Sequence, residues 1–271
     1  MLRTPALLAS LLCALALAAP AFADDSGTDA ALSQALKGSW REPANAARDP
    51  YRHPRETLEF FGLKPGMTVV QLWPGTGWYT EVLAPVLKDH GQLIDAAVPA
   101  RGENESDNTV RYLAKLKKDP AVYGKVKTVD FAPPGKMDLG PEGSADMVLT
   151  FRNLHNWQGR GQLDNVFQAA FKVLKHGGVF GVVEHRAVAG KTVDQTYRTG
   201  YMPVDYVTQA AQEAGFKLVG QSEVNANPKD TKDYPQGVWT LPPTYALGEK
   251  DKAKYAAIGE SDRMTLKFVK P

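Results

Sequence analysis

Two short segments of the sequence carry side chains that can transfer protons or bind metal. His155 follows an apolar run ending at Phe151, and Glu184 and His185 close a second apolar run. Imidazole titrates near neutral pH and pairs readily with a carboxylate, so His155, Glu184 and His185 are candidates for acid–base catalysis. Two histidines and one glutamate also suit catalytic zinc or non-haem iron. No His-x-x-x-His pair is present, so we predict no resident metal; hydrogen bonding between loops is the other alternative.

A glycine turn follows the first apolar run of the chain. Residues 67–73 have the length and composition of a strand, Gly75, Thr76 and Gly77 come next, and residues 78–88 show helical spacing. Glycine lets the backbone approach a ligand closely, while the following helix directs its first N–H groups towards it. Ligands of open α/β sheets bind beyond the carboxyl ends of the strands. The turn is therefore a candidate ligand site, and a tight turn without a ligand is the alternative.

These segments belong to a regular alternation of predicted strands and helices. A helix opens at Pro54 and ends before Gly62, and further helices are predicted at 109–118, 163–174 and 203–214. Together the predicted strands are residues 67–73, 92–98, 125–129, 146–151, 179–184, 216–221 and 263–269. This alternation predicts a doubly wound, Rossmann-like α/β sheet that is mostly parallel. The last strand follows an irregular segment, residues 222–262, rather than a helix, so we expect it to run antiparallel.

The overall composition is that of one globular domain. Of the 271 residues, 43% are hydrophobic, and 32 basic residues nearly balance 30 acidic ones. A net charge of +2 does not favour nucleic-acid binding, and the partner we expect is a small-molecule substrate.

The first 23 residues have the pattern of a secretory signal peptide. Arg3 precedes an apolar stretch at residues 6–19, and small residues at 21 and 23 mark a cleavage site after Ala23. The apolar stretch is shorter than the roughly 20 residues a membrane helix needs. Cleavage would remove Cys13, the only cysteine, and would leave a mature chain with no disulfide, thiol chemistry or membrane span. We therefore expect a periplasmic or secreted protein, with an N-terminal arm at residues 24–53 before the main domain at residues 54–271.

The order of these motifs resembles the class I S-adenosylmethionine-dependent methyltransferases, and in particular a bacterial branch of exported predicted methyltransferases. The resemblance covers about residues 54–269. It rests on the first strand with its Gly75–Gly77 turn, on Asp130 and Phe131 after the third strand, on the fourth strand at residues 146–154, and on residues 174–178 before the fifth. It implies a seven-stranded sheet whose last strand is antiparallel, with S-adenosylmethionine as the cofactor.

Carried over by position, the resemblance places the methionine part of the cofactor over residues 73–77 and the adenine near Asp130 and Phe131. The implied cofactor-binding residues are Gln71, Trp73, Gly75, Thr76, Gly77, Asp95, Asp130, Phe131 and Arg152. Three positions depart from the family pattern. Gln71 replaces an acid, Trp73 replaces the first glycine, and Ala97 stands where a carboxylate usually binds the ribose. Asp95, two residues earlier, shares a strand face with Ala97 and would take that role after a slip in register.

The resemblance implies a methyltransferase acting on a small or medium acceptor, and the three residues singled out at the strand ends, His155, Glu184 and His185, are its candidate catalytic residues. Two alternatives stay open. Export separates the protein from a cofactor made inside the cell, which favours a non-catalytic ligand-binding protein on the same scaffold. The other alternative is a metal-dependent enzyme that uses the same three residues.

Overall fold

One mixed sheet organises the protein. The structure is a computed structural model that describes residues 25–102, 104 and 107–271; the predicted signal peptide lies outside the described residues. The seven strands are β1 (Thr68–Leu72), β2 (Gln92–Ala97), β3 (Lys127–Asp130), β4 (Ala145–Phe151), β5 (Leu174–His185), β6 (Lys217–Ser222) and β7 (Arg263–Val269). Their order is β3-β2-β1-β4-β5-β7-β6, with β1 to β5 parallel and β7 antiparallel to both of its neighbours. The predicted seven-stranded sheet with an antiparallel last strand is confirmed.

Helices cover both faces of this sheet. They are α1 (Asp25–Leu36), α2 (Pro43–Ala46), α3 (Asp49–Arg52), α4 (Pro54–Phe61), α5 (Thr80–Leu87), α6 (Asn108–Lys118), α7 (Pro120–Tyr123), α8 (Leu154–Gln158), α9 (Leu163–Val173), α10 (Val193–Thr196), α11 (Val204–Glu213) and α12 (Lys252–Ile258). Successive side chains of β4 point to opposite faces: Val148 packs into the core under α9 and α11, and Leu149 into the core under α4 and α5. Burial on both faces explains why the central parallel strand β4 is a nearly continuous apolar run.

The fifth strand is longer than the sequence predicts. The sequence predicts a strand at residues 179–184 that is separated from the preceding helix, but β5 begins at Leu174, directly after α9. Leu174 pairs with Ala145, and the register then shifts so that Val179 pairs with Met147. The glycine-containing stretch is therefore a bulge inside the strand rather than a loop before it.

The described part of the N-terminal arm packs against the main domain. Helix α1 lies on α5, and its Leu32 is fully buried in the core on that face of the sheet. The Trp40 indole donates to the carbonyl of Glu81 at 2.9 Å, and the Trp78 indole donates to the carbonyl of Asn45 at 3.0 Å. Residues 25–53 thus form part of one wall of the molecule. None of the helices in the described part of the chain is long and apolar enough to cross a membrane.

The segment of residues 222–262 was predicted to be irregular, and the structure shows that it contains α12 and a 3-10 turn (Gly237–Thr240). Asp230 anchors it by accepting hydrogen bonds from the Tyr201 hydroxyl and from the Asp262 backbone N–H at 2.7 Å. The segment crosses the carboxyl end of the sheet, where Trp239 comes within ring contact of His155.

Candidate active site

Two adjoining cavities lie beyond the carboxyl ends of β1 and β4. Their volumes are about 260 and 390 Å³, and they share the lining residues Trp73, Pro74, Gly75, Asn153 and Asn156. Strands β1 and β4 are neighbours at the point where the strand order reverses, the usual ligand site of a doubly wound sheet. Together the cavities fall within the roughly 300–1,000 Å³ typical of small-molecule sites.

Each cavity has its own chemistry. The smaller one, which we call the histidine cavity, is lined by Gln71, Arg152, His155 and His185, and is covered by residues of the 222–262 segment. The larger one, the Asp107 cavity, is lined by the end of β2 and by the start of α6. A ligand that spans both cavities passes over Gly75.

Gly75 is the part of the glycine turn that faces the cleft. It lies in the left-handed region at φ +62°, and a Cβ added there would have no other heavy atom within 4 Å. A Cβ at Gly77 would instead lie 3.0 Å from the Tyr112 ring, so Gly77 permits packing of α6 against the turn. Thr76 lines neither cavity. Of the three predicted turn residues, the structure therefore brings Gly75 alone to the cleft.

Trp73 changes the expected site for adenine. Its backbone has φ +48°, its ring packs 4.9 Å from the Trp157 ring, and its indole N–H donates to the Phe131 carbonyl at 2.9 Å. Phe131 is fully buried, and Asp130 points outward to Lys136 at 2.5 Å. Asp130 and Phe131, predicted to contact adenine, line neither cavity, because the Phe131 ring is buried in the core and the Asp130 carboxylate pairs with Lys136 at the surface.

Asp95 lies below the glycine turn rather than in the cleft. It is fully buried opposite Gln71 in the β1–β2 register, where it accepts hydrogen bonds from the hydroxyls of Thr80, at 2.9 Å, and Tyr112. Burial raises the pKa of Asp95 to about 7. Ala97, not Asp95, lines the Asp107 cavity, so the register slip that would have made Asp95 a ribose ligand does not occur.

The sequence prediction missed Asp107 as a cleft residue. Its carboxylate caps α6 by accepting the backbone N–H of Thr109 at 2.7 Å, and this hydrogen bond lowers the pKa of Asp107. Asp107 and Asn108 supply oxygen and amide groups to the cavity wall that Ala97 leaves apolar. The signal in the sequence was an Asp two residues before the helix predicted at 109–118, a pattern that normally indicates only a cap.

Glu184 holds His155 in a defined orientation. The carboxylate is fully buried and accepts the backbone N–H groups of Leu154 at 2.6 Å and of His185 at 2.7 Å. It also lies 3.2 Å from Nδ1 of His155. Because an ionised carboxylate only accepts, we assign the proton to Nδ1, which leaves the lone pair on Nε2 of His155. This buried pair, here called the His155–Glu184 dyad, has the arrangement of a general base and its orienting acid.

His185 is suited to remain neutral. Its Nδ1 lies 2.5 Å from the hydroxyl of Ser261, and both residues line the histidine cavity. Burial, together with the nearby His155 and Arg152, holds the pKa of His185 well below its usual range. His185 therefore presents a neutral imidazole to the cavity.

The three predicted catalytic residues also have the spacing of metal ligands. Ligand atoms of His155, Glu184 and His185 lie within 4.8 Å of one another. Both Glu184 oxygens, however, already accept two hydrogen bonds each, from the backbone of residues 154, 155 and 185 and from the His155 ring. A metal bound to Glu184 would have to displace bonds that hold β5 to α8, so the donor set fits the dyad better.

Four arginines surround one carboxylate beside the histidine cavity. Glu260 accepts hydrogen bonds from Arg48 at 2.6 Å, from Arg52 at 3.2 Å and from Arg263 at 3.2 Å. We call these four residues and Arg152 the Glu260 cluster. Burial alone would raise the pKa of Glu260, but the charges of Arg52 and Arg263 lower it to about 2. Sequence reasoning missed the cluster, apart from Arg152, because its members come from distant segments with no local motif.

Arg152 is the arginine of the cluster that lines the cavity. It directly follows β4 with φ +62°, a conformation that costs most residues of order 1–3 kcal/mol and that concentrates at functional sites. Burial lowers the pKa of Arg152 to about 10, so it stays charged at neutral pH. Its guanidinium makes no hydrogen bond or ion pair with any residue that the structure describes.

Known structures share this fold. A SAM-dependent methyltransferase from Aquifex aeolicus is 15% identical, with 88% of this chain and 98% of that chain aligned and a TM-score of 0.57. The cyclase SpnF is 17% identical over 91% and 96% of the two chains, with a TM-score of 0.59. Phosphoethanolamine N-methyltransferase 2 from Haemonchus contortus, solved with S-adenosyl-L-methionine, is 15% identical over 82% of this chain and 53% of that one, with a TM-score of 0.53.

At these identities the likeness is one of fold. A cyclase among the similar structures illustrates that this fold does not decide the reaction. No protein-family model matches the sequence, and no curated protein matches it either.

Proposed function

We propose that the protein is an S-adenosylmethionine-dependent methyltransferase acting on a small acceptor. The observation that carries the proposal is the open turn at Gly75, which joins a polar cavity at β2 and α6 to a second cavity that contains a general-base dyad. The shared fold of solved methyltransferases supports it.

The residues of the cleft fit the cofactor, although with a different donor set from the one the resemblance implies. Gly75 leaves the space that the methionine part needs, because no protein atom fills the position of its missing Cβ. Asp107 and Asn108 supply the hydrogen-bonding groups for the ribose hydroxyls in place of the absent carboxylate at Ala97. The cofactor, when bound, supplies a methyl group on a positively charged sulfur.

His155 would remove the proton that the acceptor loses. With the cofactor bound, the sulfur–methyl bond would break as the acceptor oxygen or nitrogen bonds to the methyl carbon, and S-adenosylhomocysteine would be the leaving group. The acceptor's proton would pass to Nε2 of His155, and Glu184 would stabilise the resulting imidazolium through Nδ1–H. General-base catalysis contributes about 10²–10⁴-fold, whereas holding two reactants in line contributes about 7–11 kcal/mol. The walls of the cleft are therefore expected to matter more than the base.

Calorimetric titration of the purified protein with S-adenosylhomocysteine tests the proposal. We expect one ligand to bind per chain, and transfer of labelled methyl from S-adenosylmethionine into a small-molecule extract. If no heat and no thermal shift appear at millimolar ligand, the proposal is wrong.

A second candidate function is a non-catalytic ligand-binding protein. The specific observation in its favour is the Trp73 indole, which covers the Phe131 carbonyl where the resemblance expects adenine. Native mass spectrometry of the purified protein separates the two candidates. A retained ligand without an adenosyl group, together with no methyl transfer, would support the second.

We also propose that residues 1–23 are a cleaved leader and that the mature protein is periplasmic or secreted. The support is the apolar stretch followed by the small-residue pattern at Ala23. Intact-mass measurement of the protein from a periplasmic fraction tests this. A chain that retains Met1 and stays in the cytoplasmic fraction would contradict it.

A further inference from the structure

Arg152 has a charge that the described protein does not satisfy. A guanidinium offers five N–H donors, and Arg152, which is partly exposed where it lines the cavity, uses none of them on another residue that the structure describes. Glu260, whose charge acts on Arg152, is already bonded to three other arginines. An arginine that lines a cavity, has strained backbone and has no partner is arranged to meet a ligand.

The surroundings of Arg152 strengthen this positive potential. The Glu260 cluster contains four arginines and one carboxylate. Asp262 pairs with Arg186 and Lys232, and Glu81 pairs with Lys115. Within the described chain, Glu184 has no cation bonded to it and offsets one of the four arginine charges, as Glu260 offsets another. The excess positive charge therefore stays at the cavity, where low-dielectric walls focus it and attract anions.

Donors of the cluster beyond Arg152 also lack partners. Both terminal nitrogens of Arg52, one of Arg48 and the Nε of Arg263 are buried and make no hydrogen bond. Arg52 and Arg263 are only 1% and 3% exposed, so solvent does not satisfy them. The cluster thus has more donors than Glu260 can use, whereas a purely structural ion pair would be expected to be matched.

The rest of the histidine cavity limits what the anion is attached to. Its volume is about 260 Å³, and Phe151, Val238 and Trp239 provide apolar walls. Tyr79 stacks on Phe151 with 3.5 Å between ring centroids, which makes that wall flat and rigid. The space suits a small acid with a flat or apolar body.

We infer that the acceptor is a small organic acid whose carboxylate or phosphate group binds Arg152. This inference rests on the proposed function. It places the acceptor's reacting group near Nε2 of His155, because Arg152 and His155 line the same cavity, and next to Gly75, where the methyl donor is held.

The cofactor's own carboxylate is a second source of the same chemistry. If the cofactor's carboxylate were the group that binds Arg152, removing the arginine would weaken the binding of S-adenosylhomocysteine. The binding of 5′-methylthioadenosine, which lacks the amino-acid end, would not change. An acceptor site instead leaves the binding of both nucleosides unchanged and affects only the acid.

Calorimetry with benzoate, phenyl phosphate and benzamide tests the inference directly. Benzamide is the neutral match of benzoate. In the wild-type protein we expect one of the two anions to bind about tenfold or more tightly than benzamide, with and without saturating S-adenosylhomocysteine. Equal binding of all three probes, or no binding of either anion, would overturn the inference. The test stands even if S-adenosylhomocysteine fails to bind, a result that would reject the proposed function alone.

Variants then assign the anion site to its residue. We expect Arg152→Gln to lose the preference for the anion, Arg152→Lys to keep part of it, and S-adenosylhomocysteine affinity to stay within about twofold in both. Arg198→Gln is the matched control, because Arg198 is exposed, contacts Tyr197 and lies outside the cavity. A preference that survives in Arg152→Gln, or a loss confined to S-adenosylhomocysteine, would contradict an acceptor site at Arg152.

Discussion

Replacing Gly75 with alanine is expected to have two effects, one on ligand binding and one on backbone strain. The new Cβ would meet no protein atom, but it would project into space that both cavities share. At φ +62° an alanine costs roughly 1–2 kcal/mol in the folded state. For a domain of this size that cost lowers the unfolding midpoint by roughly 2–8 °C. The loss of stability by itself therefore says nothing about a ligand.

Gly177→Ala provides the matched control. Gly177 is exposed, has φ +78°, and a Cβ there also meets nothing within 4 Å, but it lies in the β5 bulge away from the cleft. Both variants should lose similar stability in thermal unfolding. Only Gly75→Ala should lose affinity for S-adenosylhomocysteine, by about tenfold or more, which is about 1.4 kcal/mol. Unchanged affinity in Gly75→Ala, or an equal loss in both variants, would refute the role of the turn.

Three further predictions concern buried ionisable groups. The folded pKa of Asp95 is about 7, above its ordinary 3.8, so the folded protein binds more protons than the unfolded one between about pH 4 and 7. The free energy of unfolding, measured in urea, should therefore fall as pH rises through that window. Asp95→Asn should remove up to about 4 kcal/mol of this pH dependence. If the pH profiles of the wild type and the variant were parallel, the prediction would be contradicted. Glu260, with a pKa near 2, stabilises the fold above about pH 4.5 and loses that contribution as pH falls towards 2. Glu260→Gln should lower the free energy of unfolding by about 3–5 kcal/mol at neutral pH, because four arginines lose their carboxylate. An unchanged free energy of unfolding would show that solvent stabilises these arginines instead. His155→Asn should slow methyl transfer to an identified acid about 10²–10⁴-fold without changing S-adenosylhomocysteine affinity; stoichiometric zinc or iron in the wild type that disappears in this variant would instead support a metal-dependent enzyme.

Hydrophobic periodicity was sufficient to predict the fold. The central strands β1, β4 and β5 contain apolar runs bounded by turn residues, and the absence of a helix between the 222–262 segment and β7 indicated the antiparallel end. The bulge at the start of β5 was not predictable, because pairing of Leu174 with Ala145 depends on a register that only the assembled sheet defines. Helix α12 was missed because its short segment lies among turn-forming residues.

The site was predictable where its residues follow neighbouring strands. His155 and Glu184 come together because β4 and β5 are adjacent and parallel. Asp95 was harder to place, since a strand pattern gives its face but not the depth of its side chain. The Glu260 cluster depends on contacts between residues about 210 positions apart in the chain, such as Arg52 and Glu260, and no spacing rule reaches that far.

The Glu260 cluster also determines where the protein can be divided. Arg48 and Arg52 belong to the segment that precedes Pro54, while Glu260 and Arg263 lie more than 200 residues later. A chimera begun at residue 54, where the resemblance to the methyltransferases starts, would omit two of the three cations bonded to Glu260. Such a graft would carry the whole sheet and both cavities, yet it would leave a carboxylate in the interior with too little positive charge around it. Glu260 lines the histidine cavity, so a charge at the wall of the cleft is balanced by arginines from a segment about 210 residues earlier in the chain.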